Sequence, residues 1–95
     1  MFEELHVNDL HMFQRDCLRV VSHNEPCKGT AIKEKLTNEY GSQVSHSRLY
    51  TSLNQMVQMG LIDKGTLDGR TNQYTLSEKG ERAAEHFRDA WDDAA

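Results

Sequence analysis

Ninety-five residues with 37% hydrophobic and 27% charged side chains describe a single small domain, with no room for a catalytic domain beside its core. No apolar run approaches the ~20 residues that span a bilayer, and the acidic start MFEELHVND does not read as a signal peptide, so a cytoplasmic protein is expected. The formal net charge of −4 excludes a uniformly basic nucleic-acid binder.

In chain order, Phe2, Leu5 and Val7 alternate with acids, as in a short helix or an arm that docks on apolar surface. Asn8 or Asp9 offers an N-cap for the first firm helix, whose apolar stripe is Leu10, Phe13, Cys17, Val20 and Val21. That helix is predicted to end near His23-Asn24, because Pro26 disfavours helical geometry in the residue before it. The stretch PCKGT reads as a loop in which Cys27 could be exposed, while Cys17 reads as a small core residue. A second helix starts at Gly29 or Thr30, repeats Ile32, Leu36 and Tyr40 every four residues, and closes at Gly41.

Gly41 to Val44 form the short turn of a helix-turn-helix. Ser45 then caps a third helix from about His46 to Met59, with Leu49, Leu53, Met56 and Val57 on one face and Gly60 as its stop. Strands are predicted near Leu61–Thr66 and Asn72–Leu76, around an Asp68-Gly69 turn that tolerates positive φ. Ser77 caps a last helix whose stripe, Ala84, Phe87 and Trp91 with Ala83 beside it, is narrow enough to suit helix–helix contact. Asp92 and Asp93 oppose the dipole at its end, so the final turn is expected to fray.

The elements give an α+β, mostly helical winged helix-turn-helix, with three helices, a two-stranded wing and a C-terminal dimerisation helix. Residues 1–76 form the DNA-binding part with an N-terminal arm, and residues 77–95 the dimerisation helix, within one structural unit. A thin core favours a homodimer, with Phe2, Leu5, Ala84, Phe87 and Trp91 as its candidate contacts.

Charge placement supports DNA as partner. Residues 1–27 and 77–95 each carry −3, whereas residues 28–76 carry +2, so the basic excess falls on the segment that would face phosphate. The candidate readers are the leading end and outer face of helix three: Ser45, His46, Ser47, Arg48, Thr51, Asn54 and Gln55. Arg pairs with guanine, and Asn or Gln with adenine, in bidentate fashion from such a helix. Tyr50 is a packing residue whose hydroxyl could reach a phosphate, and Lys64, Arg70, Thr71 and Asn72 of the wing are candidate backbone or minor-groove contacts. No phosphate loop, GxSxG elbow or HExxH stretch is present, so no enzyme, cofactor or metal site is expected. Two readings compete: a winged helix used for protein contact, and a ligand or redox sensor built on Cys27 and the histidines.

The segments TAIKEKLTNEYG, SHSRLYTSLNQMVQMGLIDKG and DGRTNQYTLSEKG resemble the PadR-type winged-helix transcriptional regulators, particularly short archaeal members. The resemblance covers roughly residues 10–82. It is most specific in the RLY..L run followed by GLI.KG, and in the GRTN.YTLSEKG passage. It implies a homodimer held by the C-terminal helix with N-terminal help. It also implies binding to a double-stranded, palindromic operator through helix three and the wing, usually for repression. Much of the family has Pro after the tyrosine of helix three, where this chain has Thr51. Some members sense small apolar or phenolic compounds, but no residues for an effector transfer by motif.

Overall fold

The computed structural model describes residues 12–94, with side chains as far as Arg88. The predicted arm with Phe2 and Leu5, the caps at Asn8 or Asp9, Leu10, and the side chain of Trp91 lie outside the described residues. The elements run α1 (Met12–His23), β1 (Cys27–Lys28), α2 (Gly29–Tyr40), α3 (His46–Gln58), β2 (Ile62–Leu67), β3 (Thr71–Leu76) and α4 (Glu78–Ala94).

Each boundary has a local cause. Ser45 is extended, with φ −67° and ψ 131°, and its hydroxyl accepts from the amide of Arg48 at 3.2 Å, satisfying one open donor of α3. At the other end of α3, Gly60 has φ 79°. Its amide donates to the Val57 carbonyl, and that of Leu61 to the Met56 carbonyl, both at 3.0 Å. This pair of bonds is the Schellman termination, which needs a left-handed residue where Gly60 stands. Between α2 and α3, the Val44 amide donates to the Thr37 hydroxyl at 3.2 Å, fixing the turn that sets the angle of α3. In the wing, Asp68 and Gly69 have φ 58° and 71°, the primed-turn geometry that matches strand twist.

The expected loop PCKGT contains a strand. Cys27 pairs with Tyr74 and Lys28 with Gln73, making a three-stranded antiparallel sheet in the order β1-β3-β2. Two residues are too short for an alternating pattern, so the strand left no periodic trace in the sequence. Pairing carries Cys27 inward to 3% exposure, against the expectation that it could be exposed. The Glu25 carboxylate accepts from the Leu76 amide at 2.9 Å, joining the same connection to the end of β3.

The core lies between the helices and one face of the sheet. Cys17, Leu18 and Val21 of α1, Ile32 and Leu36 of α2, and Leu49, Leu53 and Met56 of α3 are all fully buried, with Leu61, Ile62 and Tyr74 closing over them. Truncating such a leucine to alanine costs about 2–5 kcal/mol. Tyr40, expected to share the apolar face of α2, is 42% exposed. Its ring centre lies 6.3 Å from that of Phe13, and its hydroxyl donates to Asp16. Beside it Arg19 pairs with Glu39 through both guanidinium nitrogens, so α1 and α2 are clasped at the surface.

α4 belongs to this core. Ala83 and Ala84 are fully buried and Phe87 is 8% exposed within one chain, with the Arg15 guanidinium 4.9 Å from the Phe87 ring centre. The stripe assigned to a dimer seam is thus occupied, at Ala84 and Phe87, by the protomer's own packing. Its narrowness reflects contact with α1 and β3. The helix runs through Ala94, with Asp92 and Asp93 in its last turn.

The start of α4 is bolted to the end of α3. The Ser77 hydroxyl donates to the Gly60 and Leu61 carbonyls and accepts from the Gly80 amide at 2.9 Å. Lys79 donates to the Met59 carbonyl at 3.0 Å. A Cβ on Gly80 would overlap the Leu61 carbonyl oxygen, so the SEKG sequence is a requirement of this joint.

Candidate nucleic-acid interface

With Leu49, Leu53 and Met56 turned into the core, the 3.6-residue period sorts the rest of α3 into three strips. Ser47, Thr51 and Asn54 recur at i, i+4 and i+7, are all exposed, and form the outer ridge. Gln58, one turn further, is exposed on the same ridge and is not among the residues expected from sequence. Two short polar side chains at the leading end leave room for close approach, and Asn54 offers a paired donor and acceptor.

Arg48 and Gln55 stand on the flank toward α1 and are already engaged. The Arg48 guanidinium lies 4.2 Å from the Phe13 ring centre, and Gln55 accepts from the Gln14 amide at 2.8 Å. Gln14 is itself 4% exposed, so that contact sits at the edge of the core. Ser45 is committed to capping.

The opposite flank faces the wing. His46 and Tyr50, one turn apart, have ring centres 4.5 Å apart. With Gly29, Thr30, Arg70, Thr71 and Asn72 they line a groove of about 400 Å³. The fold therefore brings five predicted residues to one place: His46, Tyr50, Arg70, Thr71 and Asn72. Gly29 is there because a Cβ would run into the Tyr50 hydroxyl. α2 starts at this point from Lys28 with no side-chain cap, leaving first-turn amides as donors at a positive helix end. In the sequence, Gly29 and Thr30 show no signal beyond the start of a helix. Lys64 lies elsewhere, in a shallow groove with Asp63, Gly65, Thr66, Gln73 and Thr75, and does not join Arg70.

The thiols are inward-facing. Burial pushes Cys17 up to about 12, with Asp16 adding to the effect, and burial also raises Cys27. Thiols held protonated are poor nucleophiles. Burial raises Tyr74 as well, with Tyr50 contributing, and its hydroxyl has no hydrogen-bond partner among the described residues. No described helix is long and apolar enough to cross a membrane.

Comparison with known proteins places this geometry. Among solved structures, the complex structure of hsRosR-S4 superposes with a TM-score of 0.82 at 40% identity, covering 87% of this chain and 71% of that one. RosR of H. salinarum, from crystals grown from NaBr, gives 0.79 at 41% identity, covering 85% and 73%. PadR of Bacillus subtilis in complex with operator DNA shares the fold, at a TM-score of 0.69 and 20% identity over 81% of this chain and 46% of that one. No curated protein sequence matches the chain. The model of the transcriptional regulator PadR-like family matches residues 17–86, and the chain belongs to that family of winged-helix transcriptional regulators, which are not enzymes.

Proposed function

We propose that the protein is a cytoplasmic, sequence-specific regulator that binds double-stranded DNA as a homodimer and represses by occupying a palindromic operator. α3 enters the major groove with Ser47, Thr51 and Asn54 toward base edges, and the wing lies along the backbone or minor groove. The observation that carries this reading is the exposed polar ridge of α3, flanked by the groove that holds Arg70 and His46. The fold shared with B. subtilis PadR, solved in complex with operator DNA, agrees with it. So does the +2 charge of residues 28–76 against −3 at each end.

With Ala84 and Phe87 inside the protomer, the dimer contacts fall to Phe2, Leu5 and Trp91. Met12, 72% exposed at the start of α1, adds an apolar side chain to the surface left open. Two recognition helices in such a dimer would read half-sites about 34 Å apart, one duplex turn. Sedimentation with and without duplex tests this: a dimer that shifts as a unit on DNA supports the reading. A monomer at tens of micromolar (roughly) that binds no duplex contradicts it.

A further inference from the structure

We propose that the groove between α3 and the wing is a proton-coupled phosphate seat: it holds one phosphodiester of the DNA backbone between Arg70 and a protonated His46. The inference rests on the DNA-binding reading and assigns His46 to backbone rather than to base edges. Three elements converge on the groove, with His46 and Tyr50 from α3, Arg70, Thr71 and Asn72 from the wing, and Gly29 and Thr30 from the start of α2. All of the polar side chains there are neutral or basic, and no carboxylate lines the groove among the described residues. That lining suits an anion.

The donors suit a phosphate. Arg70 provides a planar fork, Thr30 and Thr71 provide hydroxyls, and the first turn of α2 opens here without a side-chain cap. Tyr50 lies against the imidazole, ring centre to ring centre at 4.5 Å with the planes tilted by 43°. Gly29 leaves the space that the Tyr50 hydroxyl occupies. Of the other ionisable groups on these elements, Tyr50 and Arg70 line the groove; Arg48 on α3, Lys28 and the Lys33, Glu34, Lys35, Glu39 and Tyr40 of α2, and Asp63, Lys64 and Tyr74 of the wing do not. Arg48 is turned to Phe13 on the opposite flank. Asp68, at the wing tip, does not line the groove.

Imidazole is the side chain that ordinarily titrates between pH 5 and 8. A phosphodiester beside it favours the charged form, so by linkage DNA binding takes up a proton at each groove. Affinity then rises as pH falls, whatever the base sequence.

The test is anisotropy titration of a labelled mixed-sequence duplex of about 30 base pairs at fixed ionic strength, from about pH 8 to pH 6. The expected result is an affinity gain of about tenfold or more in the wild-type protein, reduced to less than about twofold in His46→Gln. Imidazole NMR of the wild type provides a second reading: the His46 midpoint moves up when duplex is added and less with inorganic phosphate alone. A pH dependence that survives in His46→Gln, or a duplex bound with no pH dependence, overturns the seat and leaves DNA binding standing. A His46 midpoint that moves with inorganic phosphate but not with duplex overturns it too, since the site would then serve a free anion. Failure to bind duplex at any pH overturns both readings.

Discussion

The guanidinium of Arg48 lies 4.2 Å from the centre of the Phe13 ring, fastening the leading turn of α3 to α1 on the flank opposite His46. A cation over an aromatic face contributes about 0.5–2 kcal/mol, more when partly desolvated. Arg48→Ala should therefore lower stability by that amount in urea titration, with no change in which bases the protein prefers. A shift in base preference with unchanged stability would return Arg48 to the reading surface.

The joint between α3 and α4 predicts a strong effect from a small change. Gly80→Ala forces a methyl against the Leu61 carbonyl oxygen, and overpacking against backbone costs about 1–3 kcal/mol. Ser77→Ala removes the hydroxyl that serves Gly60, Leu61 and Gly80, costing about 1–2 kcal/mol as a lost cap. Because α4 is bolted to α3 here, thermal melts of both variants should show one cooperative transition at lower Tm. A two-step melt would show that α4 unfolds separately.

Phe87 and Trp91 should separate under mutation. Phe87 packs within one chain, so Phe87→Ala should cost about 3–5 kcal/mol of folding stability. Trp91→Ala should leave the protomer folded and weaken dimerisation. Sedimentation and circular dichroism on both variants decide it: equal loss of fold in the two would show that the last turns of α4 are part of the same core.

Alkaline stability follows from the buried thiol. Burial raises Cys17 in the folded chain to about 12, whereas the unfolded chain releases that proton near the ordinary thiol value of about 8.5. Above that value the unfolded state binds fewer protons, so stability is complete below it and falls as pH rises toward 12. Cys27 adds a smaller slope of the same sign. Urea midpoints between about pH 8 and 10 should fall less steeply in Cys17→Ala than in the wild type.

The helices were legible because their caps and periods are local. Ser45, Gly41, Gly60 and Ser77 stand where the sequence placed them, and the Asp68-Gly69 turn has the positive φ expected. What the sequence hid was decided across space. β1 is two residues long and exists only through its pairing with β3. Ala84 and Phe87 form a stripe that suits a partner helix or the protomer's own α1 equally well, and spacing cannot tell the two apart. Within the site, all polar positions of α3 looked equivalent in sequence. The packing of Phe13 and Gln14 removes Arg48 and Gln55 from the outer ridge, and the wing draws His46 and Tyr50 to the other side. Residues from α1 and the wing, far away in sequence, divide the helix into an exposed polar ridge, a flank braced on α1 and a flank turned to the wing.

That division is tested most directly by selecting bound duplexes from a random pool with the wild type, Asn54→Ala and Arg70→Ala. The wild type should enrich a two-fold symmetric sequence with half-sites about 34 Å apart. Asn54→Ala should relax one position in each half-site, at about 1–3 kcal/mol per lost base contact. Arg70→Ala should keep the same consensus, bind it more weakly, and lose about one counterion per arm from the salt dependence. No enrichment at all, or a consensus altered by Arg70→Ala and untouched by Asn54→Ala, would contradict the account.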